Sequence, residues 1–254
     1  MPMLAVHMSI VQEVVDALGV SEIREQVGAA LLGSTAPDRR VMTREPREET
    51  HYFHLTTGKM EDGFRGMKRA IPDMVSRAPG DDWALTAFLI GYASHLAADE
   101  AWIVNVYRPY FEDVNYLGSE PTRNILDRAL QYELELDVRG EPDQLMTWQR
   151  HVAAFNGAVE AVPDTFIAWN VLRQWTDFVA DRVLTLPRSW AEFPRFIARY
   201  LDDPGLDEIE IETLVSDPES MLDRAYAAIP REVIQQHRAI AVEQSLRHAG
   251  EILS

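Results

Sequence analysis

A long apolar run, Trp83 to Phe111, constrains this chain more than any other feature. It reads as one helix that is hydrophobic almost all round, the pattern of a helix buried on most of its faces. In its middle, within Gly91-Tyr-Ala-Ser-His-Leu-Ala-Ala-Asp-Glu-Ala-Trp-Ile103, stand His95 and Asp99. Residues four apart are neighbours on one helix face, with roughly 5 to 6 Å between Cβ atoms. Burying an imidazole beside a carboxylate is costly unless each is paired, hydrogen-bonded or bound to a metal. His95, Asp99 and Glu100 interrupt the run, so it lacks the ~20 clean apolar residues of a membrane span. Two readings remain for the pair, a hydrogen-bonded core contact and part of a metal site, and other ligands elsewhere decide between them.

The remaining sequence repeats a helical period with short breaks and few strand signals, which predicts one all-α, multi-helix domain over the 254 residues. Helices are expected near 7–18, 21–32, 60–76, 121–138, 143–160, 164–184, 190–201, 218–228 and 231–253. Ser21 is expected to cap the second, and Asp81 or Asp82 the central one. Residues 202–212 read as an acidic loop or short helix. Trp148, Trp169, Trp175 and Trp190 are expected in the core, and His151, His237 and His248 on the surface. The absence of cysteine excludes disulfides and thiolate ligands. The N-terminus lacks the basic and apolar regions of a signal peptide, so a cytoplasmic location is expected. A formal charge of -17 argues against a broad grip on nucleic acid or an anionic membrane, which leaves a small molecule as the expected partner.

Candidate ligands lie outside the central run. His7 stands in the first turn of the first helix, where alone it reads as a terminal histidine. Gly33 breaks the second helix, and the stretch to Thr50 reads as a loop holding Asp38 after a proline. Arg39, Arg40, Arg44 and Arg47 gather in that loop of an otherwise acidic chain. Guanidinium forks match phosphoryl oxygens, although several of the four can instead neutralise Glu45, Glu48 and Glu49. His51 and His54 close the loop, and either is a candidate ligand. Glu133 and Asp137, four apart on a later helix, are an acidic pair that also fits two solvated side chains.

Taken in order, His7, Ala36-Pro-Asp38, Thr50-His51-Tyr-Phe53 and Gly91-Tyr-Ala-Ser-His95-Leu-Ala-Ala-Asp99 resemble the zinc-dependent phospholipase C family, which shares an all-helical fold with the single-strand-specific nucleases. The resemblance covers roughly the first 110 residues. It implies a first metal site of Asp38, His51, His95 and Asp99, with Asp99 bridging to a second metal that His7 also ligates, and leaves His54 outside the set. Two zinc ions, or another divalent first-row metal, would then activate a water for attack on a small phosphoester, with Asp38 as proton acceptor and Arg39 and Arg40 steadying the phosphoryl oxygens. The sequence departs from the family pattern in three places. Met1 and Pro2 offer no equivalent of the terminal tryptophan amine. Asn105 and Tyr107 stand near the place of a further histidine. Glu133 and Asp137 stand where a later His-x-x-x-Glu serves a third metal. A noncatalytic, metal-stabilised binding domain is the alternative, and an open coordination position separates the two.

Overall fold

The computed structural model describes residues 3–55, 60, 62–77, 82–112, 117–185, 189–201, 212 and 216–254. Among them no strand occurs, and the all-α architecture stands. The helices are α1 Leu4–Leu18, α2 Ser21–Glu25, α3 Val27–Thr35, α4 Arg40–Thr43, α5 Arg47–His51, α6 Asp62–Ala70, α7 Pro72–Arg77, α8 Trp83–Trp102, α9 Glu120–Gly140, α10 Pro142–Ala158, α11 Trp169–Val179, α12 Phe193–Phe196, α13 Ala198–Leu201, α14 Pro218–Ala228 and α15 Arg231–Ile252. No helix among the described residues is long and apolar enough to cross a membrane.

Helix α8 is the central element, buried from Leu85 to Trp102 along every face. Asp82 caps it, its carboxylate accepting from the Leu85 N–H at 3.0 Å; Asp81 lies outside the described residues. The apolar run does not stay α-helical to Phe111. After Trp102 the chain widens into π-type turns over Ile103–Glu112, which contain Pro109. A proline lacks the N–H that an α-helical ladder requires there.

Helix α3 crosses α8 at contact distance because each presents a glycine to the other. A β-carbon on Gly33 would stand 2.0 Å from the Phe88 carbonyl oxygen, and one on Gly91 would stand 2.0 Å from that of Ala30. This corrects the reading of Gly33 as a helix breaker: it sits inside α3, where close backbone approach excludes a side chain. The expected loop is correspondingly helical. A 3-10 turn, Ala36–Arg39, follows α3 directly with Pro37 in its first turn, where no N–H is needed, and α4 and α5 complete the path to His51. The expected second helix is two, α2 and α3, divided at Gln26, and the Ser21 side chain bonds Glu22 rather than capping.

Helices α1, α3, α8 and α15 form the main core. A second cluster joins Trp102, Val106 and Phe111 to α9 and α14. Trp148 and Trp175 are fully buried as expected, whereas Trp169 and Trp190 are only half-buried. His237 and His248 are not surface residues. His237 is buried with Nε2 3.1 Å from the Ala98 carbonyl, and His248 is buried in a stack on Phe64 with ring centroids 4.1 Å apart. Both lie on the face of α15 that packs on α8, which a helix with charges spread along its sequence did not advertise.

Candidate metal centre

Five side chains from four separate elements converge beside the middle of α8. His7 comes from α1, Asp38 from the 3-10 turn, His51 from the end of α5, and His95 and Asp99 from α8. His51 Nε2 lies 3.3 Å from His95 Nε2, 3.3 Å from Asp99 Oδ2 and 3.6 Å from Asp38 Oδ1. His95 Nε2 lies 3.6 Å from Asp99 Oδ2 and 3.9 Å from Asp38 Oδ1, and His7 Nε2 lies 3.5 Å from Asp99 Oδ1. His7, His51, His95 and Asp99 are buried, while the Asp38 side chain, 23% exposed, reaches the surface.

Backbone and hydroxyl partners fix which way the imidazoles point. Ser34 is in the last turn of α3, where carbonyls lack helical partners. Its carbonyl oxygen lies 2.8 Å from His95 Nδ1, which must therefore carry the proton. Thr50 donates its hydroxyl to the Arg47 carbonyl at 3.2 Å, so its oxygen accepts from His51 Nδ1 at 2.7 Å. Both Nε2 atoms are then left with a bare lone pair, and both aim at each other and at two carboxylates. Tyr92 donates to the Thr50 carbonyl and ties this turn to α8. Tyr52, next after His51, takes φ 60°, a left-handed conformation that ends α5 there.

Electrostatics agree with that assignment. Burial, joined by the neighbouring His7, pushes His95 down to about 3, so its ring is neutral at neutral pH. Burial alone would raise the carboxyls of Asp38 and Asp99, but for Asp38 the imidazoles of His51 and His95, and for Asp99 those of His95, His51 and His7 with Arg47, outweigh it and hold both below the usual range. The centre therefore presents a neutral His95 nitrogen and the ionised oxygens of Asp38 and Asp99.

A divalent cation fits this donor set. Tetrahedral bonds of about 2.0 to 2.1 Å place ligand atoms roughly 3.3 to 3.4 Å apart, close to the 3.3 to 3.9 Å separations around His51 and His95. His7 Nδ1 and Nε2 and Asp99 Oδ1 are buried without a hydrogen-bond partner among the described residues. Two sets of ligand atoms lie close enough for a shared ion, His7 with His95 and Asp99, and Asp38 with His51 and His95. Nitrogen and oxygen donors without sulfur suit zinc or a neighbouring first-row ion.

The other expected site residues lie elsewhere. Arg39 is buried, donating to the Ala36 carbonyl at 3.2 Å and to Glu45 at 2.9 Å, so its guanidinium braces its own turn and is not free for a phosphoryl group. Arg40 is half-buried, and its Nε has no partner among the described residues. Glu133 accepts from the Tyr226 hydroxyl and Asp137 is exposed, so this pair does not join the cluster. Asn105 bonds the Ala101 carbonyl at 3.0 Å and Tyr107 bonds Asn124 at 2.9 Å, which removes both from the centre. His54 is exposed beside Glu48 at 3.2 Å. The arginine that does enter is Arg47, whose Nη2 lies 2.7 Å from Asp99 Oδ2. Its place in the arginine cluster was visible in the sequence; its direction was not.

A helical bundle that gathers histidine and aspartate donors around one buried point defines a candidate metal centre. Residues 6–102 match the model of the family described as zinc dependent phospholipase C, so this segment, less than half of the chain, is similar to that family. The match contains all five converging residues and ends on the last residue of α8. No curated protein and no solved structure matches the chain.

Proposed function

We propose that the protein is a metal-dependent hydrolase of a small phosphoester. The observation that carries this reading is the convergence of His51, His95 and Asp38 lone pairs on one point, where the two histidines are buried and the Asp38 side chain is partly exposed. A divalent ion there supplies Lewis acidity and makes water a nucleophile at neutral pH. The protein's own part is to hold the donors. His51 and His95 are locked as nitrogen donors by Thr50 and Ser34. The Asp38 carboxylate, kept ionised, accepts the proton of the attacking water on the solvent side. Arg40, two residues further on, supplies the cation that meets the phosphoryl oxygens.

A noncatalytic metal-stabilised domain is the second reading, favoured by one separation: Asp99 Oδ2 lies near enough to His51 and His95 to close the shell as a fourth protein ligand. A panel of phosphomonoesters and phosphodiesters, run on protein of measured zinc content, separates them. Turnover is expected, with Arg40→Ala lowering it about tenfold, a single charge-assisted contact, at unchanged zinc content. Fully loaded protein that turns over no ester would establish the noncatalytic reading.

A further inference from the structure

Resting on the reading of the cluster as a metal centre, we propose that the centre holds one ion per chain, on Asp38, His51 and His95. In this proposal the guanidinium of Arg47 stands in place of a second cation and keeps Asp99 out of the coordination shell.

The ring orientations separate the two candidate ligand sets. His51 and His95 meet edge to face, with centroids 5.1 Å apart and planes at 68°, so their in-plane lone pairs run towards a common point beside Asp38. His7 and His95 are instead stacked, with centroids 3.8 Å apart and planes at 16°. Stacked rings present their lone pairs side by side, and an ion between them would lie out of both planes. His95 also has only one lone pair to give, because Nδ1 donates to Ser34. The first set therefore makes a site and uses His95 up. What remains among the described residues is His7 Nε2 and Asp99 Oδ1, 3.5 Å apart, two ligands where catalytic zinc sites use three.

Arg47 supplies what a second ion would. It is buried, its Nη2 bonds Asp99 Oδ2 at 2.7 Å, and its Cζ lies 5.0 Å from the centre of the Phe53 ring. Its Nε and Nη1 have no partner among the described residues, so the side chain spends its one charge-assisted bond on the oxygen that faces the imidazoles. A guanidinium cannot lose its proton in a protein, which makes this a permanent positive charge. It compensates the second carboxylate and repels a further dication. With Asp99 Oδ2 held by Arg47, the ion keeps three protein ligands and an exchangeable fourth position.

The experiment is zinc per chain after dialysis, together with the visible spectrum of cobalt(II)-loaded protein on addition of azide. Wild type and His7→Ala are each expected to retain one ion, and the wild-type cobalt spectrum is expected to shift with azide. In Arg47→Met, Asp99 is free to become the fourth ligand, so zinc should bind at least tenfold more tightly and the cobalt spectrum should ignore azide. Two ions retained by wild type with one lost in His7→Ala, an azide-insensitive wild type, or weaker zinc binding by Arg47→Met would each overturn the proposal. If Arg47→Met does not fold, the wild-type and His7→Ala results decide alone. Two ions overturn this inference and leave the metal-centre reading standing, whereas no ion removes both.

Discussion

Helices α8 and α9 each bury a polar grouping, and the two groupings obey opposite rules. On α9, Asp127 accepts from Trp102 Nε1 at 2.8 Å and from Gln131 Nε2 at 2.7 Å, and Glu135 accepts from the Ala5 N–H at 2.9 Å. Each carboxylate there meets donors, so the grouping is complete within the protein. Around α8, His95 Nε2 faces His51 Nε2 and two carboxylates, acceptor against acceptor. A bound cation would satisfy that arrangement. Burial and acidity are common to both places, so neither marks a metal site; the direction of the protons does. The satisfied grouping also serves the other, because Glu135 holds the start of α1 two residues before His7.

The comparison predicts three graded effects. Chelation should act on one grouping only: an ion at about a thousandfold its dissociation constant adds about 4 kcal/mol, so chelator should lower Tm by about 10 °C for a chain of this size. His95→Ala should abolish that difference, and a Tm indifferent to chelator in wild type would contradict the contrast at its root. Next comes His237, a buried imidazole outside both groupings. Burial sets its folded value at about 4, against an ordinary 6.5. The unfolded chain therefore takes the proton first, and stability is lost as pH falls from about 6.5 towards 4. The loss reaches about 3 kcal/mol, to be read as a flatter denaturation profile over that window in His237→Gln. Smallest is Asp127→Ala, which strands the Trp102 and Gln131 donors at a cost of about 2 kcal/mol. Urea midpoints should show the same loss with zinc and with chelator, and zinc content should not change. A loss seen only with zinc would mean that the two groupings are one.

Much of this was readable from residue order. The all-helical class followed from period and composition, the buried centre from His95 and Asp99 inside an apolar run, and the remaining candidates from motif order along the first half of the chain. What escaped the sequence was direction. Gly33 looked like a stop because it ends an apolar run just before Ser-Thr-Ala-Pro; the close backbone approach of α8, which carries its own glycine, shows it to be a crossing. Arg39 and Arg47 carry the same side chain within one cluster, yet one turns back on Glu45 and the other inward to Asp99. His237 and His248 looked solvated because their burial depends on which face of α15 meets α8. Glu133 and Asp137 had the right spacing on the wrong side of α9.

The close crossing that Gly33 and Gly91 permit, one against Phe88 and the other against Ala30, has a consequence for chemistry that packing terms do not express. It brings the end of α3 close enough for the Ser34 carbonyl to claim the Nδ1 proton of His95. A methyl group at either glycine would push the helices apart, and the carbonyl would lose that proton. The freed imidazole could then place its hydrogen on Nε2, closing the lone pair the centre uses. Two missing carbons thus select a tautomer, and a change far from any reacting atom in chemical kind would be felt as a change in acid–base form.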